Sequence, residues 1–216
     1  AEHFKDFGFE ITSGARYLGG YIGTEDRKSE WVKQKVLEWK DGIEALSSIA
    51  KSSPQCAFVG MRMSLQSEWT HLQRVVKDTG ATFQELETTL HSSFIPSLFD
   101  EDKIASPTLR SLLSLPAKVG GIGLPKPNET ADFNYLTSTD AIINLEIALL
   151  NRTPLELSSH QKCVALARTT SKALRVDQAT DTFESLKATM NSLQIRRAER
   201  AKQTGSWINV TPTIVN

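Results

Sequence analysis

From Glu25 onward the apolar positions follow a helical rhythm. Val32, Val36, Trp39, Ile43, Leu46 and Ile49 step by 4, 3, 4, 3 and 3, one stripe of an amphipathic helix with Glu and Lys on its outer faces. Ser53 and Pro54 then supply an N-cap followed by Pro at the first helical position, where the missing N–H costs nothing. A second helix is expected to follow, with Phe58, Met61, Leu65, Leu72 and Val76 as its stripe, ending before Gly80. Thr82 and Glu85 have capping-box spacing and open a third helix, which Pro96 is expected to kink or finish. These three helices predict a compact bundle over 25–104.

Beyond it, Ser106 and Pro107 repeat the cap signature and start a short helix that stops at Leu115-Pro116. The stretch "AKVGGIGLPKP", 117–127, is too rich in Gly and Pro for a regular element and reads as a rigid connector. Asn128 is placed to cap a long helix running to about Leu150. Two more helices are predicted at about 158–176 and 181–203, the second with Asp181 and Glu184 in capping-box register. Together they make a second helical subdomain, 105–216.

Ahead of the helices the period is two. "HFKDFGFEITSGARYLGGYIG" predicts two short strands around Thr12-Ser13-Gly14. Phe7, Phe9 and Ile11 alternate on the first, while on the second Tyr17 and Tyr21 share one face and Leu18 and Ile22 the other. A lone hairpin is marginal in water, so this one, over 1–24, should belong to a larger sheet. The expected fold is mainly α: an N-terminal β-hairpin, a three-helix bundle, then a second helical subdomain.

Charge adds an asymmetry. The chain has 25 Lys plus Arg and 25 Asp plus Glu over 216 residues, so no global field draws it to nucleic acid or membrane. Residues 150–216, however, carry 10 basic and 5 acidic side chains, against 15 basic and 20 acidic in 1–149. The last third is the part suited to a polyanion. Cys56 and Cys163 lack metal-ligand spacing and fit a reducing compartment, nucleus or cytoplasm. No apolar run reaches the roughly 20 residues of a membrane span. With Ala1 at the start and the β-like "INVTPTIVN" at the end, the sequence reads as a piece of a longer polypeptide.

Three strings, taken in order, carry a family likeness. "ARYLGGYIG", "SSPQCAFVGMRMSLQSEWTHLQRVV" and "LRSLLSLPAKVGGIGLPKPNETADFNYLTS" together resemble the region downstream of the catalytic palm in reverse transcriptases of non-LTR-like eukaryotic retroelements. The resemblance spans 1 to about 140. It implies that Tyr17-Leu18-Gly19 ends the palm beside the primer terminus, that 26–98 form the thumb, and that Leu115-Pro116 with Gly120 to Leu124 form the segment beyond. It also implies a partner, an RNA or RNA–DNA hybrid duplex, and an upstream palm on the same polypeptide holding the Mg ions that phosphoryl transfer needs. This chain has no Asp-Asp pair. Asp100-Glu101-Asp102 reads as a solvated helix end, so the fragment is expected to be inactive alone, without a cofactor of its own.

Each candidate contact has a plainer reading beside it. Arg16, Tyr17, Gly19 and Gly20 form a primer-facing strand, or a tight hairpin in which Gly20 makes room for Trp31 or Trp39. Arg62 and Arg74, with His71 and Lys77, offer phosphate contacts on the second helix, or belong to a solvated face interrupted by Glu68 and Asp78. Arg168, Lys172 and Arg175 share one helix face at spacings of 4 and 3 and attract phosphates. Arg196 and Arg197, with Arg200 and Lys202, do the same or answer the dipole of a helix C-terminus. The histidines His3, His71, His91 and His160 show no shared spacing, and no Ser-His-Asp or Cys-His arrangement supports a hydrolase. The four tryptophans suit core filling. The competing function is a helical protein-interaction module, or a retroelement remnant with no polymerase role.

Overall fold

The computed structural model describes residues 12–99 and 105–204. It is mainly α with an N-terminal hairpin, the expected class. Strands β1 (Gly14–Tyr17) and β2 (Gly20–Gly23) pair antiparallel, with Arg16 opposite Tyr21 and Tyr17 opposite Gly20. The turn is therefore at Leu18-Gly19, inside the expected second strand, and not at Thr12 to Gly14. Leu18 and Gly19 have φ of +46° and +80°, the two-residue geometry whose twist matches that of paired strands. Thr12 instead donates its hydroxyl to the Gly14 carbonyl at 2.8 Å. The strand expected at Phe7 to Ile11 lies outside the described residues, as do Asp100-Glu101-Asp102, His3 and Trp207.

Helix α1 (Glu25–Ala50) buries Val32, Val36, Trp39 and Ile43, then Ser47 and Ala50. Leu46 is only partly covered and Ile49 is exposed, because two successive steps of three swing a side chain about 120° around the helix. Helices α2 (Pro54–Gly60) and α3 (Gln66–Val75) are joined by a π-helical turn, Met61–Leu65. A second π turn, Leu90–Phe94, joins α4 (Gln84–Thr89) to α5 (Ile95–Phe99). That turn stands directly before Pro96, where a regular helix would meet the proline ring. The helix consequently runs on to Phe99 instead of finishing at Pro96. The expected caps at Ser53 and Thr82 make no side-chain bond; the one at Ser106 does, accepting from the Leu109 N–H at 3.2 Å.

The first core is aromatic at its centre. Trp39 meets Trp69 edge-on with centroids 6.4 Å apart and stacks on Phe83 at 6.0 Å. Its indole N–H donates to Glu68 Oε2 at 3.0 Å, so the ring is buried without stranding its donor. Ile43, Met61, Leu86, Leu90 and Phe94 close around it, each fully buried.

Helix α6 (Pro107–Ser114) and a 3₁₀ turn, Ala117–Val119, lead into the Gly-rich connector, which folds back on α6. Gly123 N–H reaches the Leu115 carbonyl at 2.8 Å and Leu124 N–H the Leu113 carbonyl at 3.2 Å. A Cβ at Gly121 would overlap the Leu115 carbonyl oxygen, so no larger residue fits this path. Ile122 and Leu124 enter the first core, while Leu115 and Val119 join Leu112, Phe183 and Ala198 in a second one. The connector thus belongs to both cores.

Helices α7 (Pro127–Asn151) and α8 (Leu157–Lys187) form a long antiparallel arm, and α9 (Ser192–Thr204) closes the second core. The break expected between 176 and 181 does not exist. No Gly or Pro interrupts that stretch, and the hydroxyls of Thr180, Thr182 and Ser185 donate to carbonyls four residues back, at 2.8, 2.8 and 2.9 Å, instead of capping. The real boundary is at Asn191. Its side chain accepts from the Gln194 N–H at 2.9 Å while the Gln194 side chain accepts from the Asn191 N–H at 3.1 Å, a reciprocal box.

Candidate nucleic-acid interface

The hairpin rests on α3 through its glycines. A Cβ at Gly19 would come within 2.5 Å of His71 Nε2, and one at Gly20 would touch the Val75 methyl at 3.5 Å. The neighbours that need the space are thus His71 and Val75, not Trp31 or Trp39; Trp31 stacks on Tyr21 at 5.6 Å instead. The two glycines serve packing of the turn against α3. Arg16, Tyr17 and Leu18 remain outside, Tyr17 62% and Leu18 80% exposed.

Arg62 sits on the first π turn. Its guanidinium lies 5.8 Å from the centroid of Phe58 and lines the space beside Gly123, tying α2 to the connector without an ion pair among the described residues.

At the far end of α3 the structure brings together two residues that the sequence shows on separate helices. Gln73 is fully buried; its Nε2 donates to the Pro127 carbonyl at 2.8 Å and its Oε1 accepts from Asn134 Nδ2 at 2.6 Å. Asn134 Oδ1 in turn accepts from Arg175 Nη2. The Arg175 guanidinium lies 4.6 Å from the Phe133 centroid, a cation–π contact. Arg74, next to Gln73 in sequence, stands on the exposed side of α3. The Arg175 side chain stays exposed to solvent, and partial desolvation of its inner side first, with the Arg74 charge second, holds its guanidinium below the ordinary pKa. No carboxylate lies within 4 Å of either guanidinium among the described residues.

Arg168 and Lys172 continue this face of α8 toward the arm's tip, exposed and without an ion pair among the described residues. Arg196 and Arg197 are elsewhere: α9 packs near Phe183, about two turns along α8 from Arg175. The basic run there is partly engaged. Lys202 sits 4.2 Å from the Phe183 centroid and 3.8 Å from Glu199, and Lys187 bonds Glu184 at 2.8 Å. Arg196 and Arg197 themselves have no ion pair among the described residues, with Arg196 exposed and Arg197 half-buried.

Pattern reading missed the strongest polar element of the molecule. Arg110, 2% exposed, makes a two-pronged bond to Glu87 (Nε to Oε1 2.8 Å, Nη2 to Oε2 2.6 Å) and donates Nη1 to the Leu124 carbonyl at 2.8 Å. The pair fixes the connector to α4 and α6. Its signal was present, since Arg110 and Glu87 both interrupt otherwise apolar helix faces. Asn134 and Gln73 left no comparable mark.

Among the described residues no group of three His, Cys, Asp or Glu could hold a metal, and no helix is long and apolar enough to cross a membrane. Compared with protein-family models, curated proteins and solved structures, the chain gives no match.

Proposed function

We propose that this chain grips a primer–template duplex for a reverse transcriptase whose catalytic palm, with its Mg ions, lies upstream on the same polypeptide. The reading is supported by the ordered strings in the sequence that resemble the palm end, thumb and following segment of retroelement enzymes. The observation that carries it is Arg175, held by Asn134 and the Phe133 ring through a buried amide chain that starts at Gln73, the residue before Arg74, with no carboxylate within 4 Å of either guanidinium among the described residues. Arg168 and Lys172 extend the positive face along α8, while Arg16, Arg62, Arg196 and Arg197 stand at separate places, without an ion pair among the described residues. Such contacts hold a phosphate backbone in register without reading bases. The fragment alone carries no polymerase chemistry.

Filter binding of a short RNA–DNA hybrid at low and moderate salt tests this. Sequence-independent binding that weakens with salt is expected; no binding at either concentration would remove the proposal.

A specific observation favours the competing reading, a protein-interaction module. Leu136, Ile143, Ile147 and Leu150 are spaced by 7, 4 and 3 along α7 and are 59%, 44%, 49% and 75% exposed. An apolar stripe of this period left uncovered is the pattern of a helix that meets another. Charge reversal at Arg168, Lys172, Arg175, Arg196 and Arg197 separates the two: hybrid binding untouched while a protein partner is lost would favour the module.

A further inference from the structure

We infer that Arg74 and Arg175 form one composite phosphate site, a two-guanidinium clamp positioned by the Gln73–Asn134 amide pair and shared between α3 and α8. This inference rests on the duplex-gripping reading and narrows it to a particular place and chemistry.

The hydrogen-bond inventory points to the ligand. An Asn side chain has one carbonyl oxygen and one NH₂ group. Asn134 commits the first to Arg175 and the second to Gln73, and Gln73 commits its own NH₂ to the Pro127 carbonyl. The amides are therefore occupied holding Arg175 and have little left for a ligand. Arg175 uses only Nη2 in this network, and the Arg74 side chain makes no hydrogen bond among the described residues. The donors that remain open belong to the two guanidiniums. A ligand that suits them accepts only, is anionic, and offers oxygens in more than one direction. Phosphate meets all three requirements, and guanidinium forks match it geometrically.

The placement separates this pair from the other cations of the chain. Arg175 is braced on two sides, by the Phe133 ring and by Asn134, so little side-chain freedom is left to lose on binding. Arg74 grows from the residue after Gln73, so the same buried amide that sets Arg175 sets the backbone beneath Arg74. Arg168, Lys172 and Arg196 have no such bracing.

The test uses the full chain, with inorganic phosphate and then a short RNA–DNA hybrid as probes. Two variants are compared with it, Arg74→Glu and Arg175→Gln. The Nε–Hε resonances of Arg74 and Arg175 are followed by NMR during a phosphate titration, with acetate at matched ionic strength as control. The clamp predicts saturable shifts at these two resonances with phosphate and none with acetate. It predicts loss of those shifts in Arg74→Glu, together with a melting temperature at or above that of the parent, because the new carboxylate pairs with Arg175. It also predicts that each variant lowers the slope of log affinity against log salt for the hybrid by about 1. Equal responses to phosphate and acetate, or an unchanged salt slope in both variants while the parent still binds the hybrid, would overturn the clamp and leave the wider grip standing. Phosphate shifts in a chain that binds no hybrid would keep the clamp and remove the duplex.

Discussion

The bundle around Trp39, Trp69 and Phe83 and the outer part of the α7–α8 arm are built from similar proportions of apolar residues and have opposite fates. In the bundle almost every large apolar side chain on the inward stripes is covered, and even the charges that enter it are paired. In α7 beyond Asn134, Ala148 is the only residue buried, while Leu149 and Leu150 are 69% and 75% exposed. What differs is the number of neighbours. Helix α1 is enclosed by α2 to α5, whereas the outer arm has two helices and nothing on its flanks among the described residues. A two-helix layer cannot cover both helices all round, so apolar residues there remain at the surface whatever the sequence says. The bundle stores stability; the arm presents surface.

The sharpest way to break the first half of that contrast is Arg110→Ala. It leaves Glu87 buried and unpaired beside the connector, and should cost about 3–5 kcal/mol in chemical denaturation. The double change Arg110→Met with Glu87→Leu removes both charges and should recover most of the loss. If the single variant were as stable as the parent, the connector would not depend on this pair.

The arm should behave in the opposite way. Leu150→Ser, at a position already three-quarters exposed, is expected to move stability by no more than about 0.5 kcal/mol. A larger loss would mean that the arm's outer face is covered in solution.

The smallest effect is confined to the start of α8. The Glu156 carboxylate accepts from the Ser158 hydroxyl and from the Ser159 N–H at 3.0 Å, and these bonds hold its pKa below the ordinary 4.5. A carboxylate with a lowered folded pKa stabilises the fold above its unfolded value and loses that contribution as pH falls through the folded one. Amide exchange at Ser159 should therefore accelerate, relative to mid-α8 amides, as the pH falls below the ordinary 4.5 and through the lowered value of the folded chain. Glu156→Gln should show no such pH step.

What the pattern of residues revealed and what it concealed follows the same division. Stripes such as Val32, Val36, Trp39 and Ile43, and the Ser106-Pro107 cap, were legible because they depend on neighbours three or four residues away. The hairpin turn was misplaced because Leu18 adopts a left-handed conformation that leucine rarely takes, and nothing local announces it. The unbroken α8 was hidden by Thr and Asp residues that imitate a cap. For the candidate site, the individual cations were visible one by one. Their assembly was not, since Arg74 and Arg175 are joined only through Gln73 and Asn134, across three helices.

Hydrogen–deuterium exchange on the full chain, with and without a short RNA–DNA hybrid, tests the central claim most directly. Protection is predicted at the C-terminal turn of α3 and along 168–175 of α8, with the outer stripe of α7 unchanged. Protection restricted to α7 at Ile143 to Leu150, or absent everywhere at a hybrid concentration that saturates binding, would contradict it.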